Sequence, residues 1–269
     1  MINCASLFPL ANAQPTCANE TITTSPQSTN ILPVILIHGY NEGPSVWSTW
    51  EDLLEDNDIP FCTVEFSYDQ CGSASDHANE LGQIVEYVKS NTQQSHVNMV
   101  GHSKGGLDAR VYLDKSGTAD VANLIMIGTP NAGDPLANKG AQYTDFDFLN
   151  LSCTPALYDL KVGADDTKAH ENHNTKYYTI AGDWNPSLES NCPQQWSQEL
   201  MWAGLLGFED KLYAELIDMN SGNNDGIVPI TSVESLPYST SLGHTQDCHT
   251  NLLNDEEFTK TQPYLLELR

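Results

Sequence analysis

The 269-residue chain carries 36 acidic against 11 basic side chains, a formal charge of −25, and 39% hydrophobic residues. That charge argues against the basic footprint nucleic-acid binding needs, and it disfavours electrostatic docking on anionic lipid. No run approaches the ~20 apolar residues of a membrane helix, and the length suits one large domain with a sizeable core.

At the N-terminus, "CASLFPLANAQ" places a short apolar stretch before Ala11-Asn12-Ala13, a small-x-small pattern. Residues 1–13 therefore read as the tail of a signal peptide, and a secreted protein is expected. None of the seven cysteines forms a CxxC pair, so zinc-ribbon and thioredoxin readings fail. Loss of Cys4 with the leader would leave Cys17, Cys62, Cys71, Cys153, Cys192 and Cys248, enough for up to three disulfides. Proximity in sequence favours Cys62–Cys71 and Cys153–Cys192. The sequons at Asn19 and Asn150 matter only in a eukaryotic secretory host. Residues 14–30, rich in Thr, Ser, Pro and Gln, read as an irregular lead-in to a domain over 31–269.

"ILPVILIHG" (31–39) is a continuous apolar run ending in glycine, the pattern of a strand buried on both faces. "FCTVEFSY" (61–68) reads as a second strand. The segment 77–90 sets Ala78, Leu81, Ile84, Val85 and Val88 on one helical face. "HVNMV" (96–100) predicts a third strand, 104–116 a helix, "NLIMIGTP" (123–130) a fourth strand and "KYYTIAGD" (176–183) a fifth. Residues 210–220 and 255–268 read as helices, the second kinked at Pro263. Strands alternate with helices over 31–130, so the fold class is α/β, with a mostly parallel central sheet and helices on both faces. Residues 131–215 break that rhythm and read as an insertion. Within it, Trp196, Leu200, Met201, Trp202, Leu205, Leu206 and Phe208 cover more than one helical face, so this stretch is either a lid or an ordinary core helix.

The chemistry concentrates in "VNMVGHSKGGLDARVYL" (97–113). A GxSxG pattern is weak alone, but here it follows a buried-type strand and opens a helix. Gly101 and Gly105 remove Cβ atoms from a tight strand-to-helix turn, Gly106 lets the helix pack close, and Ser103 is expected strained with its Oγ exposed. A serine nucleophile needs a base. Of eight histidines, His249 enters the final helix and is preferred over His244, while His102 adjoins the serine and points away from it. The base needs a carboxylate. Asp225 in "NNDGIVP" follows Ser103 and precedes His249, with Asp183 in "AGDWN" the alternative. Two main-chain N–H groups are needed for an oxyanion, and Tyr40 in "HGYNEG" and Lys104 are the candidates. "HENH" (170–173) lacks a third spaced ligand and reads as surface loop, so no metal site is expected; aspartates near 145–147 and 165–166 lack a calcium-loop signature.

"VILIHGY", "NMVGHSKGGLDAR", "IMIGTPNAGDPLA", "NDGIVP" and "HTNLL" together resemble the lipase branch of the α/β-hydrolase superfamily, in its order, over roughly 31–135 and 222–269. The resemblance implies an α/β-hydrolase fold with an inserted lid or cap. It implies Ser103 as nucleophile, Asp225 as acid, His249 as base, and the Tyr40 and Lys104 amides as oxyanion hole. The apolar residues of 196–208 would line an acyl site or meet lipid. No cofactor is implied, and the expected partner is an ester or lipid substrate, in solution or at a lipid–water interface. Lys104 departs from the usual Met or Leu after the serine and is expected to make the local surface cationic. A soluble carboxylesterase, thioesterase or polyester hydrolase, a serine peptidase or amidase, and an inactive hydrolase-fold binding protein remain the alternatives.

Overall fold

The computed structural model describes residues 15–21, 31–67, 71–143, 154–184 and 223–267. The expected segments at 196–208 and 210–220 lie outside these residues. Seven strands form one sheet: β1 (Thr16–Glu20), β2 (Val34–Ile37), β3 (Phe61–Glu65), β4 (Val97–His102), β5 (Val121–Ile127), β6 (Lys176–Gly182) and β7 (Ser239–Thr245). Their spatial order is β1-β3-β2-β4-β5-β6-β7. All pairings are parallel except β1 against β3.

The β2 side chains show why this sheet is covered on both faces. Ile35 and Ile37 join Leu81, Ile84, Val85 and Val88 of α2 (Ala74–Thr92) and Ala109 and Leu113 of α3 (Lys104–Ser116). Val34 and Leu36 point the other way, onto Trp47, Trp50 and Leu54 around α1 (Ser48–Asp56) and Phe258 and Leu265 of α7 (Asp255–Leu265). Period-two alternation in a run that is apolar throughout gives two cores, one per face. Ser73 caps α2 by accepting from the Asp76 N–H, and Gly117 ends α3 in the left-handed conformation. Asn254 caps α7, whose first turn carries Asp255, Glu256 and Glu257. Pro263 falls in the last turn of that helix.

Two expectations change. Thr16–Glu20, inside the expected irregular lead-in, is the edge strand β1. Cys62 bonds to Cys17 and not to Cys71, because β1 lies beside β3 and brings the two Cα atoms to 5.2 Å. Cys71 and Cys248 are disulfide-bonded as well. Within 131–215, the described residues add α4 (Pro135–Tyr143) and α5 (Thr154–Asp159), ahead of β6. A short α6 (Ile230–Val233) precedes β7.

Candidate active site

Four strand ends build the site. β4 ends at His102, and Ser103 then turns directly into α3 with φ 50° and ψ −125°. A non-glycine residue there carries a backbone strain on the order of 1–3 kcal/mol. Packing holds it in place: the Ser103 N–H donates to the Ile127 carbonyl of β5 at 2.9 Å, and the Gly106 N–H donates to the Ser103 carbonyl at 3.2 Å. Close approach explains the flanking glycines. A Cβ on Gly101 would land on the Gly106 backbone, and one on Gly105 on the carbonyls of Ile37 and His38. Ser103 as a whole is 8% exposed, a more covered position than the sequence suggests.

After β2 the chain makes a tight turn, with Asn41 in the left-handed region at φ 53° and the Glu42 N–H donating to the Gly39 carbonyl at 3.3 Å. This turn presses on the serine: a Cβ added to Gly39 would sit 2.8 Å from the Ser103 Cβ. Tyr40 therefore follows a residue in contact with Ser103. Lys104 is the first residue of α3, and the N–H groups of a first helical turn have no partner within the helix.

His249 and Asp225 come together behind β5 and β6. His249 Nδ1 lies 2.6 Å from Asp225 Oδ2, with both residues buried. The other carboxylate oxygen, Oδ1, accepts the N–H groups of Ile227 (2.9 Å) and Val228 (2.7 Å), and the His249 N–H donates to the Asp225 carbonyl at 2.9 Å. A carboxylate only accepts, so Nδ1 carries the ring proton and Nε2 is left as the basic nitrogen. Two glycines make room. A Cβ on Gly182, at the end of β6, would lie 2.5 Å from the Asp225 Cβ, and one on Gly128, just past β5, 3.1 Å from His249 Cε1. The alternatives fall elsewhere. His244 pairs with Glu234 at 3.0 Å on the surface, and Asp183 accepts from Asn223 Nδ2 at 3.3 Å.

The neighbours of the serine are both ionic. Lys104 is buried, its Nζ 2.6 Å from Asp108 Oδ1 one turn along α3, and His77 Nδ1 is 2.7 Å from Asp108 Oδ2. The expected cationic surface is therefore absent: the charge is internal and neutralised. Burial alone would raise the Asp108 acid, but Lys104 and His77 overcome it and hold its pKa below the ordinary value. On the other side, His102 Nδ1 is 2.9 Å from Glu42 Oε2. Burial would raise Glu42, and His102, helped by the Gly39 N–H, instead holds it at about 2. Burial works against a charged His102 ring, and Glu42 outweighs it, raising that pKa. A pocket of about 310 Å³ opens beside this pair, between the turn after β2 and the turn after His249, with Asn41, Val46, Thr250 and Leu253 among its walls. Glu42, Gly128 and Gly182 were not singled out by sequence; Gly128 could have been, as the glycine that ends the apolar run of β5.

In "HENH", His170 faces Asp114 at 3.3 Å and His173 faces Glu171 at 3.5 Å, both exposed, while buried Asn172 donates to the Leu113 and Thr118 carbonyls. The described residues hold no cluster of three or more His, Cys, Asp or Glu arranged for a metal ion.

A family model described as an alpha/beta hydrolase of unknown function (DUF915) matches residues 48–217. The chain belongs to this α/β-hydrolase family. A triacylglycerol lipase of Burkholderia plantarii is 28% identical to this family member over 190 residues, covering 65% of the chain and 51% of that protein. A triacylglycerol lipase of Pseudarthrobacter phenanthrenivorans is 30% identical over 156 residues, covering 55% of the chain and 48% of that protein. The chain thus spans about half the length of these curated relatives. Among solved structures, the mature form of a Bacillus licheniformis lipase superimposes with a TM-score of 0.67 at 24% identity, over 88% of this chain and 93% of that one. A metagenomic carboxyl esterase gives 0.60 at 18% identity, over 88% and 76%. The sheet with helices on both faces is the α/β-hydrolase fold.

Proposed function

We propose that this hydrolase cleaves carboxylic esters, acylglycerols in particular, through an acyl-enzyme on Ser103. The observation that carries the reading is the buried Asp225–His249 pair at 2.6 Å, whose imidazole lies 4.8 Å from the ring of His102, the residue before the strained Ser103. The names of the curated relatives, both triacylglycerol lipases, support the ester and acylglycerol assignment.

In the proposed reaction His249 Nε2 takes the Ser103 proton as Oγ attacks the ester carbonyl, forming the C–O bond of a tetrahedral intermediate. The N–H groups of Tyr40 and Lys104 receive the oxyanion. Asp225 stabilises the imidazolium and keeps its tautomer. The imidazolium then protonates the departing alkoxide as the ester C–O bond breaks, leaving an acyl-enzyme. Water, deprotonated by the same nitrogen, releases the acid and restores Ser103. The disulfide fits an oxidising compartment, and secretion is part of the reading. So is a lid within 131–215.

The test is a panel of p-nitrophenyl esters of increasing acyl length with an emulsified triglyceride, run on wild type and Ser103→Ala. The reading expects hydrolysis by wild type and a kcat loss on the order of 10⁶ in Ser103→Ala. Activity on soluble esters without activity on the emulsion would replace the lipase by a soluble esterase. Inactivity on every ester would sink the reading.

A further inference from the structure

A single carboxylate ties the turn after β2 to the main chain of His249. Glu42 Oε2 accepts the Gly39 N–H at 2.7 Å and also faces His102 Nδ1 at 2.9 Å. The opposite nitrogen of that ring, Nε2, lies 3.0 Å from the main-chain carbonyl of His249. The His102 and His249 rings are 4.8 Å apart. Glu42 also acts through its own backbone, whose N–H donates to the Gly39 carbonyl. That carbonyl and the Tyr40 N–H are the two ends of one peptide plane, so fixing one aims the other.

The protons of this chain are set by its ends. A carboxylate oxygen and a peptide carbonyl both accept and neither donates, so the ring between them must donate from both nitrogens. A ring with two N–H groups is an imidazolium. His102 is 1% exposed, and a cation buried so fully needs the anion it faces.

We propose that Glu42 is a positioning residue for acyl transfer: its ion pair with a doubly protonated His102 locks the Gly39–Tyr40 peptide and the His249 backbone into one unit. The inference rests on the ester-hydrolase reading, in which those two segments supply an oxyanion donor and the base. Two loops far apart in sequence then cannot drift relative to each other, and a misplacement of about 1 Å in such geometry costs up to about 10²-fold in rate.

The charged groups around the ring set its pH dependence. His102 faces Glu42 from the turn after β2, His249 from the turn before α7, and the field of Asp225. Glu42 in turn lies in the field of His38 and His249. Removing the Glu42 charge while keeping a carbonyl acceptor for the Gly39 N–H is possible with Glu42→Gln. The ring then loses its counter-charge, burial drives off one proton, and one of its two links breaks.

The experiment is steady-state and burst kinetics on a soluble p-nitrophenyl ester from pH 6 to 9, for wild type and Glu42→Gln. The expected result at pH 8 is a kcat lowered about 10- to 100-fold, KM within about threefold and an unchanged burst amplitude. The ratio of variant to wild-type kcat should stay low from pH 8 down to 6, because burial keeps the ring from regaining its second proton. A ratio near one at pH 8, or a rise in KM that accounts for the loss, would overturn the proposal. If the variant does not fold, histidine-¹⁵N spectra of wild type decide: His102, assigned through His102→Gln, must keep an imidazolium signature at pH 8, and a neutral ring there refutes the ion pair. Absence of any ester turnover in wild type would instead remove the ester-hydrolase reading, and the spectra would still report on the pair.

Discussion

Ser103 sits between two ion pairs, one partly and one fully buried, and they are wired in opposite directions. On its N-terminal side His102 connects through Glu42 to the turn after β2 and through its other nitrogen to His249. On its C-terminal side Lys104 connects to Asp108 and, through it, to His77, which stacks on Phe66 with ring centroids 3.7 Å apart. The first pair joins segments that carry the proposed chemistry. The second joins α3 to α2, beneath the sheet face those helices cover. Both pairs set a buried cation against a carboxylate, Glu42 partly exposed and Asp108 buried; what differs further is which backbone each pair restrains. The elbow is thus held by one ionic clamp facing the reaction and another facing the scaffold.

The largest effect lies on the reaction side. Asp225→Asn keeps the shape of the pair but removes its charge and allows the wrong imidazole tautomer, so kcat should fall about 10⁴-fold with the melting temperature nearly unchanged. This sets the ceiling for any perturbation acting through His249, and the loss in Glu42→Gln should fall well below it. The scaffold side should respond in the opposite sense. Asp108→Asn leaves the Lys104 ammonium buried beside a neutral amide, and breaking a buried pair in this way costs about 3–5 kcal/mol. Denaturant titration should show that loss, while the remaining folded enzyme keeps kcat within about threefold. The stability supplied by Asp108 is present above the unfolded-state carboxyl pKa and is lost as pH falls through its lower folded value, so wild type and variant should converge in acid. If Asp108→Asn lowered kcat as much as Glu42→Gln does, the division between the two clamps would collapse.

A smaller effect sharpens the same contrast from a third buried acid. Glu257 on α7 is fully buried, and among the described residues its carboxylate has only the weak approach of the Thr245 hydroxyl. Burial, reinforced by Asp247 and Glu256, pushes its pKa up to about 8. Unlike Asp108, it faces no cation among the described residues. With the folded pKa above the unfolded one, its share of stability is full below the unfolded carboxyl pKa and is lost as pH rises through about 8. Glu257→Gln should therefore match wild type near pH 4, then gain a few degrees in melting temperature as pH rises, levelling off above pH 8. A difference that does not change with pH would show that the buried acid is not titrating.

The central strands and the two helices behind the elbow were readable from sequence because β2 is an unbroken apolar run, its neighbours are mostly apolar or alternate, and α2 repeats at helical spacing. α3 runs over Lys104–Ser116, where the sequence places it. The sheet edges were not readable. β1 and β7 lie mostly exposed, so "TCANE" and "STSLGHT" carry little apolar signal. Helix α1 did leave a trace in Trp47, Trp50 and Leu54, spaced three and four apart. The Asp225–His249 pair could be found through chain order and turn chemistry. Glu42 could not, because one acid among 36 in a loop has no pattern to mark it. The Lys104 charge was misplaced at the surface although Asp108, four residues on, was visible as an i,i+4 partner.

The central claim, that Ser103 is the nucleophile served by the Asp225–His249 pair, is tested most directly by covalent labelling. A fluorophosphonate should modify wild type stoichiometrically, and peptide mapping should put the adduct on Ser103. Ser103→Ala, shown folded by circular dichroism, should take up no label. An adduct on another serine, or a folded wild type that does not react, would contradict the account.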